Sequence, residues 1–304
     1  MILDAGLVLV AVDFTDEDWR QTVAHGAHHA QTRGVGVHLV NVVPKTAWLL
    51  RRVMDEASLN AHEAELQIGA TRRLAEACES IVAQGIDATS EVRTGKPGAE
   101  ILAAVKGNKA GLLVIGVGSP STAAMLIGGT ADRLLRTCPV PVLVRGPKAP
   151  GPLRRILVPT GMGPSGSAAL DRAAHLVSET EGGTVFALHM VALPGVMRAY
   201  SGDVLKLRAQ MEAHAHAELK SHVEAVGSDR IEPVLRTNNE SLAADQTILR
   251  EARERDVDLI CLALGGRSLT SGPVIGRVSD RVIRALPCAL LALPDSWIDG
   301  RKKA

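Results

Sequence analysis

Leu7-Val8-Leu9-Val10-Ala11-Val12-Asp13 returns in the second half of the chain as Arg155-Ile156-Leu157-Val158-Pro159-Thr160-Gly161. Each run is short, continuous and rich in Val and Leu, the pattern of a parallel strand buried on both faces. Other runs repeat in the same order. Val37-His38-Leu39-Val40-Asn41-Val42-Val43 answers to Val185-Phe186-Ala187-Leu188-His189-Met190-Val191, and Val92-Arg93-Thr94 to Leu235-Arg236-Thr237. Leu112-Leu113-Val114-Ile115-Gly116 matches Leu259-Ile260-Cys261-Leu262-Ala263, and Asp132-Arg133-Leu134-Leu135-Arg136 matches Asp280-Arg281-Val282-Ile283-Arg284. Each copy closes on an apolar run bounded by proline, Pro141-Val142-Leu143-Val144 and Cys288-Ala289-Leu290-Leu291. Collinear matches at a nearly constant offset mark an internal duplication.

Between the apolar runs lie Ala-rich amphipathic stretches such as Glu56 to Ala83 and Gln210 to Val226, which read as crossover helices. Strands alternating with helices and joined by right-handed crossovers give an α/β fold, an open parallel sheet with helices on both faces. The copies meet at Gly146-Pro147-Lys148-Ala149-Pro150-Gly151-Pro152, too stiff and donor-poor for a helix or a central strand. The expected domains are therefore 1–147 and 153–296. Length agrees, since 304 residues at about 150 per domain make two.

Composition narrows the function. Hydrophobic residues at 46% and charged residues at 22% provide for packed cores and argue against widespread disorder. Lys+Arg at 34 against Asp+Glu at 33 leave a net charge of +1, which removes the electrostatic case for nucleic acid. Aromatics at 2% are too few for base-stacking platforms, so ligand walls are expected to be aliphatic and backbone. The sequence has no apolar segment long enough to span a membrane, and no basic, cleavable leader is read at Met1–Leu7. Cys78, Cys138, Cys261 and Cys288 form no CxxC pair, which fits a reducing cytoplasm.

In an open parallel sheet the ligand site lies beyond the carboxyl ends of the strands, where strand order reverses. In copy 1 the first strand ends at Val12-Asp13, a carboxylate just outside the sheet. The fourth ends at Gly116-Val117-Gly118-Ser119, and a loop then runs to Gly128-Gly129-Thr130 at a helix start. Glycines beside a helix N-terminus let backbone N–H groups approach a phosphate.

These residues resemble the universal stress protein family, whose tandem members carry two adenine-nucleotide-hydrolase-like domains of the HUP class. The family motif is Gly-x2-Gly-x9-Gly-Ser/Thr after the fourth strand, with an Asp ending the first. Gly116 through Gly129-Thr130 keeps that spacing with Ser119 at the second glycine, and Asp13 matches the Asp. A second register, set by Asp132-Arg133, makes Gly128 the third glycine and puts Gly129 at the hydroxyl position. The Gly95-x-Pro97 and Glu100-Ile101-Leu102 segment also resembles the family's lead-in to its third helix. The resemblance implies two Rossmann-like domains, each with an open five-stranded parallel sheet. It implies that Val12, Asp13 and Val42 hold adenosine while Gly116, Gly118, Ser119, Gly128, Gly129 and Thr130 hold phosphates. ATP is the expected ligand, or AMP or ADP. Pro120 to Gly129 contains no charged residue, so triphosphate charge would fall to backbone amides and a metal ion such as Mg2+.

Copy 2 departs from the motif. Gly161 stands where the Asp should be, and Ala263-Leu264-Gly265-Gly266-x9-Gly276-Arg277 has Ala for the first Gly and Arg for Ser/Thr. Two readings follow: a structural copy whose pocket Arg277 fills, or a second anion site built on Gly266, Arg267, Gly276 and Arg277. The first is favoured. His25, His28 and His29 sit at i, i+3 and i+4 of the expected first helix, so two or three could share a face, but no completing ligand is found and they read as surface histidines. His214, His216 and His222 form no metal set either, and Cys138 alone is singled out as a thiol to examine.

The expected function is a cytoplasmic, adenine-nucleotide-binding stress-response regulator and not a metabolic enzyme. No catalytic base is placed by the motif, so ATP hydrolysis would be slow at most. The family also implies that the two copies pair within the chain through their last strands, with a homodimer as a further state. The rival readings are an interaction module with closed pockets, a weak ATPase, and a binder of another anion in copy 2.

Overall fold

The computed structural model describes residues 6–45, 55–116, 129–178, 180–192, 204–238, 243–264 and 276–301. It divides into two compact units, Met1–Gly151 and Pro152–Ala304, with the boundary inside the Pro/Gly stretch.

Unit 1 runs β1 (Val8–Ala11), α1 (Trp19–Arg33), β2 (Val37–Val43), α2 (Glu56–Val82), β3 (Ala88–Thr94), α3 (Pro97–Gly107), β4 (Leu112–Ile115), α4 (Gly129–Thr137) and β5 (Val142–Val144). Its strands lie in the order β3-β2-β1-β4-β5, every pair parallel. The central strands β1 and β4 are walled by neighbours on both edges and helices on both faces, which is why their side chains are apolar at consecutive positions. Val8, Leu9, Val10, Leu113 and Val114 are fully buried. Gly26 brings α1 down onto β1, since a Cβ there would collide with a Val10 methyl. Pro97 opens α3 at its first turn, where a missing N–H costs nothing.

Unit 2 runs β6 (Arg155–Pro159), α5 (Pro164–Ser178), β7 (Thr184–Ala192), α6 (Val204–Glu224), β8 (Ile231–Asn238), α7 (Ala244–Glu254), β9 (Leu259–Leu264), α8 (Arg277–Ile283), β10 (Ala289–Pro294) and α9 (Asp295–Arg301). Its strands take the equivalent order, β8-β7-β6-β9-β10, again parallel throughout. The crossover helices fall where the amphipathic patterns put them, with α6 starting before Gln210. Helix α9 extends past residue 296 and buries Ile298. The core is aliphatic in both units. Cys261 and Cys288 are buried in it as expected.

Strand registers equate the units residue by residue. Val8 pairs with Leu112 as Ile156 pairs with Leu259, and Leu113 pairs with Val142 as Ile260 pairs with Leu290. Gly116 thus corresponds to Ala263, and Arg145, just past β5, corresponds to Leu293 within β10.

Candidate functional site

In unit 1, β1 and β4 are neighbours while β2 and β5 leave on opposite sides, so strand order reverses between them. A cleft of about 860 Å³ opens at their carboxyl ends. Val12, Asp13, Val42, Gly116 and Thr130 line it together, from four separate stretches of sequence. Gly129 is the exposed first residue of α4. Gly118, Ser119 and Gly128 lie outside the described residues.

Local hydrogen bonds set the strand end. Asp13 Oδ1 accepts from both the backbone N–H (2.9 Å) and the hydroxyl (2.7 Å) of Thr15, a turn that fixes the carboxylate at the lip of the sheet. Buried Asn41 donates from Nδ2 to the Val12 carbonyl at 2.8 Å, tying β2 to the last residue of the first apolar run.

Beside the cleft lies a buried ion pair that the sequence does not announce. Arg145 and Asp16 are each 3% exposed. Arg145 donates from Nη2 to Asp16 Oδ2 (3.1 Å) and from Nε to Thr22 Oγ1 (3.1 Å), and its Nη1 lies 3.6 Å from Asp18 Oδ2. The Arg145 backbone N–H donates to the Ile115 carbonyl at 2.9 Å, so the arginine is held by β4 as well. Asp16 Oδ1 accepts from the Asp18 N–H. Desolvated charges are tolerated when paired and bonded in this way. Gly116 fits over the pair, because a Cβ there would lie 2.8 Å from Asp16 Oδ2 and 3.1 Å from Thr22 Oγ1.

The cleft wall is not purely aliphatic and backbone, as the scarcity of aromatics suggests. Phe14 lines it, and α2 adds Arg72 and Arg73. A single ring is enough to change the wall locally even when composition is poor in rings. Residue type at one position outranks the average.

The surface reading of the α1 histidines is corrected, and Cys138, the thiol singled out for examination, is resolved. His25 is 4% exposed and His29 is buried too, because the face they share on α1 is the one turned to the sheet. His25 Nε2 hydrogen-bonds the Lys148 carbonyl at 3.0 Å, and burial, with Arg145 adding to it, holds its pKa below the ordinary value. Cys138 is buried, which pushes its thiol up to about 11, so it is a core residue and not a reactive one. Among the described residues no cluster of three or more His, Cys, Asp or Glu is placed to hold a metal ion.

At the equivalent strand ends of unit 2, Thr160 replaces Val12 and Gly161 replaces Asp13. Thr160 Oγ1 accepts from the Met162 N–H at 3.0 Å, with Met162 in the left-handed region at φ 58°. His189 takes the place of Asn41 and donates from Nδ1 to the Thr160 carbonyl at 2.9 Å, the carbonyl fixing which nitrogen carries the proton. Leu293 is fully buried where Arg145 stands in unit 1. Gly276 caps α8, and Arg277, its first residue, is exposed. Gly266 and Arg267 lie outside the described residues. Helices α4 and α8 also align the two motifs. Asp132 takes a two-bond ion pair from Arg136, and Asp280 the same from Arg284. That equates Gly276 with Gly128 and Arg277 with Gly129.

The universal stress protein family profile matches residues 6–145 and again 152–294. The chain belongs to the universal stress protein family. A universal stress protein of Mycolicibacterium smegmatis is 31% identical over 129 residues, spanning 42% of this chain and 88% of that one. Among solved structures, a universal stress protein from Archaeoglobus fulgidus DSM 4304 has a TM-score of 0.68 at 18% identity, covering 96% of this chain and 97% of the other. A functionally unknown protein from Pseudomonas aeruginosa PAO1 gives 0.68 at 16% identity over 98% and 96%. These full-length likenesses establish the tandem Rossmann-like fold. As to a membrane, no helix among the described residues of this universal stress protein is long and apolar enough to cross one.

Proposed function

We propose that this universal stress protein is an adenine-nucleotide-responsive regulator whose ligand occupies the unit 1 cleft, with unit 2 chiefly structural. The observation that carries the reading is convergence. Val12, Asp13, Val42, Gly116 and Thr130 are far apart in sequence and line one cleft at the strand-order reversal. Asp13 is held by Thr15 with its carboxylate at the rim, suited to accept from ribose hydroxyls or an amino group. Gly116, with no side chain, lets a ligand approach the β4 end closely. ATP, ADP and AMP all fit this description. With no cluster of metal ligands among the described residues, Mg2+ would arrive with a triphosphate and not as a resident ion. The motif itself places no catalytic base, so hydrolysis would be slow.

Unit 2 lacks the carboxylate at Gly161, has Ala263 in place of Gly116, and carries His189 across its first strand end. Mass spectrometry of the purified, denatured protein would identify any retained nucleotide. Calorimetric titration with ATP, ADP and AMP is expected to give one site per chain, lost in Asp13→Ala and kept in Arg277→Ala. Two equivalent sites would overturn the assignment to unit 1, and no binding of any of the three would replace it with an interaction module. Phosphate release that Asp13→Ala abolishes would promote the ATPase reading.

A further inference from the structure

We infer that Arg73, seated against the ring of Phe14, is the residue by which the unit 1 cleft selects a phosphorylated adenosine over adenosine itself. This rests on the nucleotide reading above and adds to it the side chain that reads the phosphoryl charge.

The charge inventory of the cleft leads to α2. Of the carboxylates that line it, Asp16 is already answered by Arg145, while Asp13 and Glu65 meet no arginine among the contacts described. The glycine-bearing stretch Pro120 to Gly129 brings no cation. The guanidinium groups among the lining residues are those of Arg72 and Arg73, both on α2. A dianionic phosphoryl group entering this cleft finds its charge partner there.

Arg73 is also held in place. Its Cζ lies 5.3 Å from the centroid of the Phe14 ring. That ring is fixed edge-on by Trp19, with centroids 5.1 Å apart and planes at 84°. Arg20 closes the row on Trp19, 4.4 Å from its centroid. A guanidinium resting on a ring face keeps the N–H groups along its edge available, in the fork that suits two phosphoryl oxygens. Arg73 borders both the main cleft and a smaller recess of about 300 Å³ outside it, which puts it at the lip. One helical turn earlier, Gly69 shares its face of α2, and a Cβ there would meet nothing within 4 Å. The wall is therefore open beneath the guanidinium, where a longer side chain would fill it.

The test is calorimetric titration of the full chain with AMP and with adenosine. The unmodified protein is expected to prefer AMP, and Arg73→Gln to weaken AMP by about tenfold while changing adenosine less than about twofold. Phe14→Leu, which removes the seat, is expected to give a partial loss of the same preference. Arg20→Gln, which removes a like charge outside the main cleft, is expected to leave it unchanged. Equal losses for both ligands in Arg73→Gln, or an unchanged AMP preference, would overturn the inference while the nucleotide reading stood. An equal collapse in Arg20→Gln would also overturn it, in favour of a general field. If the unmodified protein bound neither of these nor ATP nor ADP, the nucleotide reading itself would fall.

Discussion

The carboxyl ends of the first, second and fourth strands carry opposite solutions in the two units. Unit 1 places Asp13, Asn41 and Gly116 there, over a buried Asp16–Arg145 pair. Unit 2 places Gly161, His189 and Ala263 there, and Leu293 fills the arginine's position without charge. The sheets beneath are equivalent strand for strand. One scaffold therefore supports an end built over a buried ion pair or an end without those charges, and the difference lies in a handful of positions that the sheet itself does not require. Asn41 and His189 make the point most simply. Each donates a side-chain hydrogen bond to the last carbonyl of the first apolar run, so the scaffold bond is kept while the group presented to a ligand changes.

The contrast can be broken most forcefully at Arg145. Arg145→Ala leaves Asp16 desolvated and unpaired, and is expected to cost about 3–5 kcal/mol, read by denaturant unfolding with hydrogen exchange localising the loss to unit 1. Replacing both partners, Arg145→Leu with Asp16→Leu, should recover most of it, because unit 2 already stands on Leu293. If the single variant is as stable as the parent, the pair is not what holds this end of unit 1 together.

Asp13→Ala comes next. It should weaken adenine nucleotide by about ten- to a hundredfold, the loss expected for an ionised hydrogen-bonding group at a ligand. Its melting temperature should barely move, since the side chain is exposed and bonded only to Thr15 among the contacts described. The reciprocal change, Gly161→Asp, should create no second site in calorimetry, because His189 and Ala263 remain. A second site appearing there would show that the carboxylate alone distinguishes the units.

Gly116→Ala gives unit 1 the residue of unit 2. The new Cβ presses on Asp16 and Thr22, with an expected cost of about 1–3 kcal/mol by the same unfolding assay. The reverse substitution, Ala263→Gly, should be much milder. The smallest effect concerns pH. His25 has a pKa held below its ordinary 6.5 chiefly by burial, so the unfolded chain takes up its proton first as pH falls. The stability this neutral histidine gives is complete above about pH 6.5 and is lost as pH drops toward its folded value. Melting temperatures at pH 7.5 and pH 5.5 should differ more in the parent than in His25→Gln, and equal shifts would remove His25 from the account.

Much of this was legible in the sequence, for physical reasons. Strands buried on both faces have to be continuously apolar, so β1, β2, β4 and β5 and their counterparts stand out, and their order shows the duplication. Asp13 and Gly116 are legible because a carboxylate and a glycine directly after such runs sit at the end where ligands bind. The Asp16–Arg145 pair is not, since it joins residues 129 apart and neither neighbourhood signals the other. Phe14, Arg72 and Arg73 were hidden for a related reason. Which face of a long helix such as α2 looks into a cleft depends on how it packs, and average composition says nothing about one ring. The histidines of α1 were correctly placed on a common face, but periodicity gives the face and not the side it turns to.

The distance in sequence between Asp16 and Arg145 has a consequence for synthesis on the ribosome. A nascent chain that has released everything through Thr130 already holds Asp13, Val42 and Gly116, yet the carboxylate beneath Gly116 still waits for the residue that follows β5. Assembly of the cleft is thus tied to the last strand of its own unit. Chains arrested with Arg145 inside the exit tunnel or beyond it should accordingly differ in nucleotide retention.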